Sequence, residues 1–120
     1  LNDCAANGQV FCLAWLTLMS YLRMATHPRI FTRPLTQQTA MGNVEALMAL
    51  PHWRVIGEQA GFWAVYQQIT ADVPTRGNLV SDAHLAAILR QNGVGTLYTH
   101  DRDFRKFPFL QVRDPLAEAG

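Results

Sequence analysis

The sequence predicts an α/β domain with three layers, in which helices cover both faces of a central parallel sheet. Helical and strand-like apolar patterns alternate along the chain, which is typical of strands joined by crossover helices. An apolar fraction of 49% in 120 residues can supply one core, so residues 1–120 are expected to form a single domain. No apolar stretch reaches the roughly 20 residues that a membrane helix needs.

The first half of the chain supplies two strands and two helices. Gln9–Leu16 is apolar and rich in strand formers, which predicts a buried strand. Helical spacing begins at Thr17 and should end before Pro28, because the residue before a proline disfavours helical geometry. Thr36 can cap a second helix, and Trp53–Ile56 is the next predicted strand.

The second half continues the alternation of helices and strands. Ala60–Thr70 has the clearest amphipathic helical spacing, and Ser81–Leu89 is a nearly all-apolar helix. Thr96–Thr99 is predicted to be a buried strand, followed by a polar turn over Asp101–Pro108. Leu110–Val112 is the last predicted strand.

The charge pattern is local rather than global. The net charge is only +1, so the chain lacks the overall basic field that many nucleic-acid-binding proteins have. The basic residues are nevertheless grouped, and the two groups are Arg23, Arg29 and Arg33, and Arg102, Arg105 and Lys106. Arginine binds phosphate with two hydrogen bonds, although scattered arginines also simply solvate a surface.

The two cysteines and the first residues indicate the cellular compartment. Cys4 and Cys12 have no metal-binding or redox spacing, so they are expected to be two unpaired intracellular thiols. The first residues show no secretory leader, and residence in the cytoplasm is the expectation. Leu1–Asn7 has the pattern of the last turns of a helix, closed by Asn7 and Gly8.

Three aspartates are expected to meet at one edge of the sheet. Asp101 and Asp103 directly follow the strand Thr96–Thr99, and Asp82 begins the helix before that strand. A right-handed crossover brings the start of this helix to the carboxyl edge of the sheet, where ligands of such folds bind. The group would suit Mg²⁺ or Mn²⁺, which prefer oxygen ligands. Helix capping by Asp82 and turn formation by the other two remain the alternative explanations.

The neighbouring histidines and a serine are not expected to take part in chemistry. His84 and His100 lie near the predicted acidic edge, but solvated side chains are the simpler interpretation, because an oxygen-only site suits Mg²⁺. Ser20 has no evident base partner, which argues against a nucleophilic serine.

Three separate stretches resemble blocks of PIN-domain ribonuclease toxins of the VapC family. The stretch from Leu18 to Phe31, LMSYLRMATHPRIF, is similar to the second block of that family. Gly77–Ala87, GNLVSDAHLAA, is similar to the third block, whose aspartate is a metal ligand. The stretch from Thr99 to Phe104, THDRDF, is similar to the fourth block, in which a threonine and an aspartate follow a strand.

The resemblance implies a PIN-like fold and a metal-dependent endoribonuclease, the toxin of a type II toxin–antitoxin system. A cognate VapB-type antitoxin, an RNA substrate and a homodimer are the implied partners, and Mg²⁺ or Mn²⁺ is the implied cofactor. The implied metal ligands are Asp82 and Asp101, with Asp103 supporting the cluster and Thr99 orienting a water molecule. The implied contacts with the RNA backbone come from Arg23, Arg102 and Arg105, although an ion pair within the fold is an equal alternative for Arg23.

The chain also departs from the family pattern at two places. The first block of the family, a strand that ends in an aspartate, has no counterpart, so the first strand is expected to be missing and the domain truncated at its N-terminus. Ser20 stands where many members have a glutamate. A degenerate, non-catalytic PIN fragment that retains only antitoxin binding or self-association is therefore an alternative, and a DNA-processing PIN-like nuclease is another.

Overall fold

Helices on both sides of a five-stranded sheet form the core of the protein. The computed structural model describes residues 2–3, 11–29, 33–99 and 101–114. The strands are β1 (Asn2–Asp3), β2 (Phe11–Ala14), β3 (Trp53–Ile56), β4 (Thr96–Tyr98) and β5 (Gln111–Arg113). The helices are α1 (Trp15–Ala25), α2 (Gln37–Met48), α3 (Phe62–Thr70) and α4 (Asn78–Gln91), with a short 3₁₀ helix at Arg102–Lys106.

The sheet is parallel in its two halves and antiparallel at its centre. The strand order is β3-β2-β1-β4-β5, in which β2 pairs with β3 and β4 pairs with β5 in parallel. β1 is antiparallel to both of its neighbours, β2 and β4. The helix that the sequence predicts over Leu1–Asn7 is therefore wrong at Asn2–Asp3, and the rest of that segment lies outside the described residues. A two-residue strand thus joins two parallel pairs.

Alternation along β2 divides the interior between the two helical layers. Cys12 and Ala14 belong to a large apolar cluster with α4, whereas Leu13 belongs to a smaller cluster with residues of α1 and α2. Successive side chains of a strand point to opposite faces of the sheet, so these assignments place the α1–α2 pair on one face and α4 on the other. The expected three-layer arrangement is confirmed.

Most element boundaries agree with the sequence pattern, and the differences have physical causes. The Thr36 hydroxyl accepts a hydrogen bond from the Thr39 N–H at 3.1 Å, which confirms the predicted helix cap. β2 ends at Ala14 rather than Leu16, because its partner strand β3 ends opposite Ala14 at Ile56. β3 itself has the predicted bounds.

The start of α4 matters most for the candidate site. The helix begins at Asn78, three residues before the predicted Ser81, and Gly77 takes the capping position with a positive φ of 62°. Glycine adopts this conformation without the steric cost that a side chain imposes. Asp82 therefore lies within the helix and not at its start.

The prediction that Cys12 is a free thiol is wrong. Cys12 is fully buried on β2 and is disulfide-bonded, whereas Cys4 lies outside the described residues. Disulfide formation requires two Cα atoms within about 7 Å, and strand pairing rather than sequence spacing brings residues that close. Among the described residues, none of the helices is long and apolar enough to cross a membrane.

The packing of α4 predicts a clear difference between two apolar truncations on the same helix. Leu89→Ala should lower the free energy of unfolding by about 3 kcal/mol, because Leu89 is completely buried and its removal leaves a cavity. Val80→Ala is the control and should change it by less than about 0.5 kcal/mol, because Val80 is 43% exposed. Urea denaturation of both variants measures the difference, and equal losses would contradict this packing.

Candidate metal centre

Helix α4 holds Asp82 beside the buried core. Its neighbour Ala83 and the next residues on the inner face, Ala86 and Leu89, are fully buried, while Asp82 itself is partly buried. Since α4 has no acidic residue in its first turn, capping does not explain this aspartate. A carboxylate at such a position loses part of its hydration, and this cost calls for a compensating partner.

Asp101 and Asp103 are fixed by a tight turn after β4. The Asp101 N–H donates to the Thr99 hydroxyl at 3.1 Å, and the Asp103 N–H donates to Asp101 Oδ1 at 2.9 Å. Asp101 thereby caps the 3₁₀ helix Arg102–Lys106, which Phe104 anchors in the core. The other oxygen of this carboxylate, Oδ2, takes no part in the hydrogen bonds of the turn.

The three carboxylates converge as the sequence predicts. One oxygen from each of Asp82, Asp101 and Asp103 lies within 4.8 Å of the other two. Burial raises the pKa of Asp82 above its ordinary value of 3.8, and the charges of Asp101 and Asp103 raise it further, while Lys106 acts in the opposite direction. The cluster is thus a region of mutual repulsion in a partly desolvated place.

The donor set fits a hard divalent cation. All three groups offer carboxylate oxygens, the ligands that Mg²⁺ and Mn²⁺ prefer. Oxygens bound to one Mg²⁺ ion are about 3 to 4 Å apart, so rotation of the two exposed side chains, Asp101 and Asp103, would have to bring the oxygens closer than 4.8 Å. These three residues could therefore hold one ion, with water completing its coordination.

The other predicted site residues are placed differently. Thr99 is beside the cluster, and its hydroxyl positions the backbone of Asp101. Arg102 and Arg105 are exposed on the same 3₁₀ helix as Asp103. Arg23 is exposed in the last turn of α1, in the layer on the other face of the sheet, and it forms no ion pair within the described parts of the chain. Neither alternative for Arg23 is tested by this placement.

Lys106 lies next to the acidic cluster, although the sequence did not predict it as a site residue. Its Nζ lies 3.8 Å from Asp103 Oδ1, and both side chains are about half exposed. A lysine three residues after Asp103 on a short helix returns to the same side, and this spacing was the available clue. An exposed ion pair of this kind contributes little stability, so its effect is mainly on the local charge.

The side chains of His84 and Ser20 have other partners. His84 Nε2 lies 3.1 Å from Glu58 Oε2, and its ring meets the Phe62 ring edge-on at 5.3 Å between centroids. The Ser20 hydroxyl donates to the Leu16 carbonyl at 3.0 Å. His84 is therefore half-buried against Phe62 rather than simply solvated, and neither of these contacts involves the acidic cluster. His100 lies outside the described residues.

Comparisons with known proteins identify relatives that match most of the chain. It is 45% identical to Ribonuclease VapC48 of Mycobacterium tuberculosis over 113 residues, which cover 94% of this chain and 77% of the relative. It is 36% identical to Ribonuclease VapC43 of the same organism over 82% of this chain and 67% of the relative. It is 30% identical to Ribonuclease VapC37, also from M. tuberculosis, over 87% of this chain and 72% of the relative. No protein-family model matches the sequence.

The raised pKa of Asp82 predicts how stability depends on pH without metal. A carboxyl whose folded pKa exceeds its unfolded value destabilises the folded state once it ionises. Asp82→Asn should therefore raise the free energy of unfolding at pH 7, and this gain should vanish below pH 3.8, where Asp82 is protonated in both states. Urea denaturation in EDTA at several pH values measures it, and a less stable variant at pH 7 would contradict the electrostatic account.

Proposed function

The chain belongs to the VapC family of ribonucleases, the toxins of type II toxin–antitoxin systems, and on this basis we propose that its acidic cluster is the catalytic centre of a metal-dependent endoribonuclease. The observation that carries the proposal is the convergence of Asp82, Asp101 and Asp103 within 4.8 Å. The raised pKa of Asp82 supports it, because a cation would relieve the same repulsion that raises the pKa.

The bound cation would activate water and stabilise the charge that develops on the phosphate during hydrolysis. Asp82 and Asp101 would hold the ion, and the Asp103 N–H keeps the Asp101 carboxylate oriented through its hydrogen bond to Oδ1. Asp103 completes the acidic side of the site. Thr99 fixes the backbone of Asp101, and its hydroxyl, which accepts that N–H, keeps a proton with which it would orient a water molecule.

Basic side chains around the cluster bring the polyanionic substrate to it. Arg102 and Arg105 are exposed on the turn that carries Asp103, so they suit contacts with RNA phosphates. Lys106 lies beside Asp103 and offsets part of the acidic charge that would otherwise repel RNA. Arg23, exposed in the last turn of α1, is the remaining candidate for a contact with the RNA backbone.

The family also defines the setting in which this activity works. A VapB-type antitoxin and RNA are the partners of such a toxin system. We further propose that residues 1–120 belong to one domain, that Mg²⁺ or Mn²⁺ is the ion, that the toxin forms a homodimer and that it acts in the cytoplasm, where its substrate is. The disulfide of Cys12 argues against the last point, since disulfides are rare in that compartment.

Cleavage of RNA tests the catalytic role of the cluster directly. Asp82→Asn and Asp101→Asn should each lower Mg²⁺-dependent cleavage of a single-stranded RNA roughly 100-fold, because a metal ligand matters at least as much as the groups that support one. Glu45→Gln is the matched control, since Glu45 is an exposed carboxylate on α2, in the other helical layer. Its rate should stay within about twofold of the parent chain.

The outcomes of this assay separate the competing functions. A parent chain that binds antitoxin but shows no cleavage with Mg²⁺ or Mn²⁺ would support the non-catalytic alternative. Cleavage that persists in EDTA, or equal rates for Asp82→Asn and Glu45→Gln, would contradict a metal-dependent centre at these aspartates. Cleavage of DNA in preference to RNA would favour a DNA-processing nuclease.

Metal binding can be measured apart from catalysis. A ligand that binds only the folded state at about 100 times its dissociation constant stabilises it by about 2.7 kcal/mol, so Mn²⁺ should raise the melting temperature of the parent chain and of Glu45→Gln. Asp82→Asn and Asp101→Asn should show little increase. Differential scanning calorimetry with and without Mn²⁺ measures this, and an equal increase in all four proteins would place the ion elsewhere.

A further inference from the structure

A second concave site lies beside the acidic cluster. It is a cavity of about 330 Å³ between the end of α3, the end of α4 and the segment after the 3₁₀ helix. Its interior is mostly apolar, with Ile69 and Val73 among the lining residues, and its polar groups are Gln68, Asp72, Arg90 and Lys106. This size and a few polar groups around an apolar surface are typical of small-ligand pockets.

Arg90 is held ready to bind an anion. Its Cζ lies over the Phe109 ring, 5.1 Å from the centroid, so a cation–π interaction holds the guanidinium at the cavity. Within the described ranges of the chain, Arg90 forms no ion pair, although Asp72 lines the same cavity. A guanidinium over an aromatic ring can still donate hydrogen bonds from its N–H groups to a phosphate.

Lys106 connects this cavity to the acidic cluster. It lines the cavity, and its Nζ is 3.8 Å from Asp103 Oδ1. On α4, Asp82 and Arg90 are eight residues apart, which corresponds to about 12 Å along the helix axis. That distance equals the length of three or four stacked nucleotides at about 3.4 Å each. A single RNA strand on the cluster can therefore extend to the cavity.

We propose that this cavity binds one nucleotide of the RNA substrate, about three or four nucleotides from the scissile bond, and that it reads the base. The proposal rests on the proposed ribonuclease function. The phosphate would be bound by Arg90 and Lys106, the two cationic side chains that line the cavity, because the carboxylate of Asp72 repels it. The base packs on Ile69 and Val73, as unstacked bases of single-stranded RNA pack on apolar and aromatic side chains.

The chemistry of Asp72 defines which bases fit. A carboxylate only accepts hydrogen bonds, so it favours a base that offers an exocyclic amino group, such as cytosine N4. Uracil presents a carbonyl oxygen at the equivalent position and would be disfavoured. Gln68, which can both donate and accept, is compatible with either base and so adds no discrimination between them.

Equilibrium binding of labelled rC10 and rU10, followed by fluorescence anisotropy in EDTA, tests the proposal without any cleavage. The parent chain should bind rC10 about threefold more tightly than rU10, because one hydrogen bond is gained. Arg90→Gln should weaken binding of both oligonucleotides about tenfold and reduce the slope of log affinity against log salt concentration by about 1. Asp72→Asn should abolish the preference for rC10, because an amide can also donate to uracil.

Arg54→Gln is the matched control for lost charge. Arg54 is an exposed arginine on β3 and does not line the cavity, so its removal should change binding by less than twofold. Equal effects of Arg90→Gln and Arg54→Gln, or an unchanged base preference in Asp72→Asn, would overturn the proposal. Because the assay contains no divalent metal, absent cleavage in a separate Mg²⁺ assay would refute the catalytic centre and leave this result standing.

Discussion

The two buried faces of β2 are the constraint on which the rest of the structure depends. Leu13 points toward the α1–α2 layer, while Cys12 and Ala14 point toward α4. A strand covered on both sides must have its backbone groups paired within the sheet, since no water reaches them. β3 pairs with one edge of β2 and the short β1 with the other, and through β1 the sheet continues to β4. The acidic turn follows β4, so its position depends on this pairing.

The close packing of α4 then determines the character of the candidate metal centre. Ala83, Ala86 and Ala87 have no exposed surface, and such small side chains allow the helix to approach the sheet closely. Asp82 is carried on this helix into a partly desolvated position facing the turn after β4. The resulting repulsion lowers the stability of the metal-free fold and favours a bound cation, and this trade of stability for function is common at reactive sites.

The electrostatics of the protein are arranged locally, so the net charge of +1 says little about its ligands. Lys106 lies at the boundary between the acidic cluster and the neighbouring cavity, within 3.8 Å of Asp103. Arg90 lines the same cavity, and its guanidinium lies over the Phe109 ring. Basic side chains beside an acidic site suit a ribonuclease. The basic side chains attract the polyanionic RNA, and the carboxylates retain the metal ion that serves the reaction.

By itself, the sequence determined the local elements and the identity of the acidic residues. The strand Trp53–Ile56 and the cap at Thr36 were predictable because periodicity and capping act over a few residues. The three aspartates were predictable from the order of elements and from the family resemblance. Only the tertiary structure decided the antiparallel direction of β1, the disulfide of Cys12, the true start of α4 and the cavity at Arg90. The direction of β1 and the cavity depend on contacts between segments far apart in the chain, which local propensity does not encode, whereas the start of α4 and the disulfide depend on the backbone conformation, which residue spacing alone does not reveal.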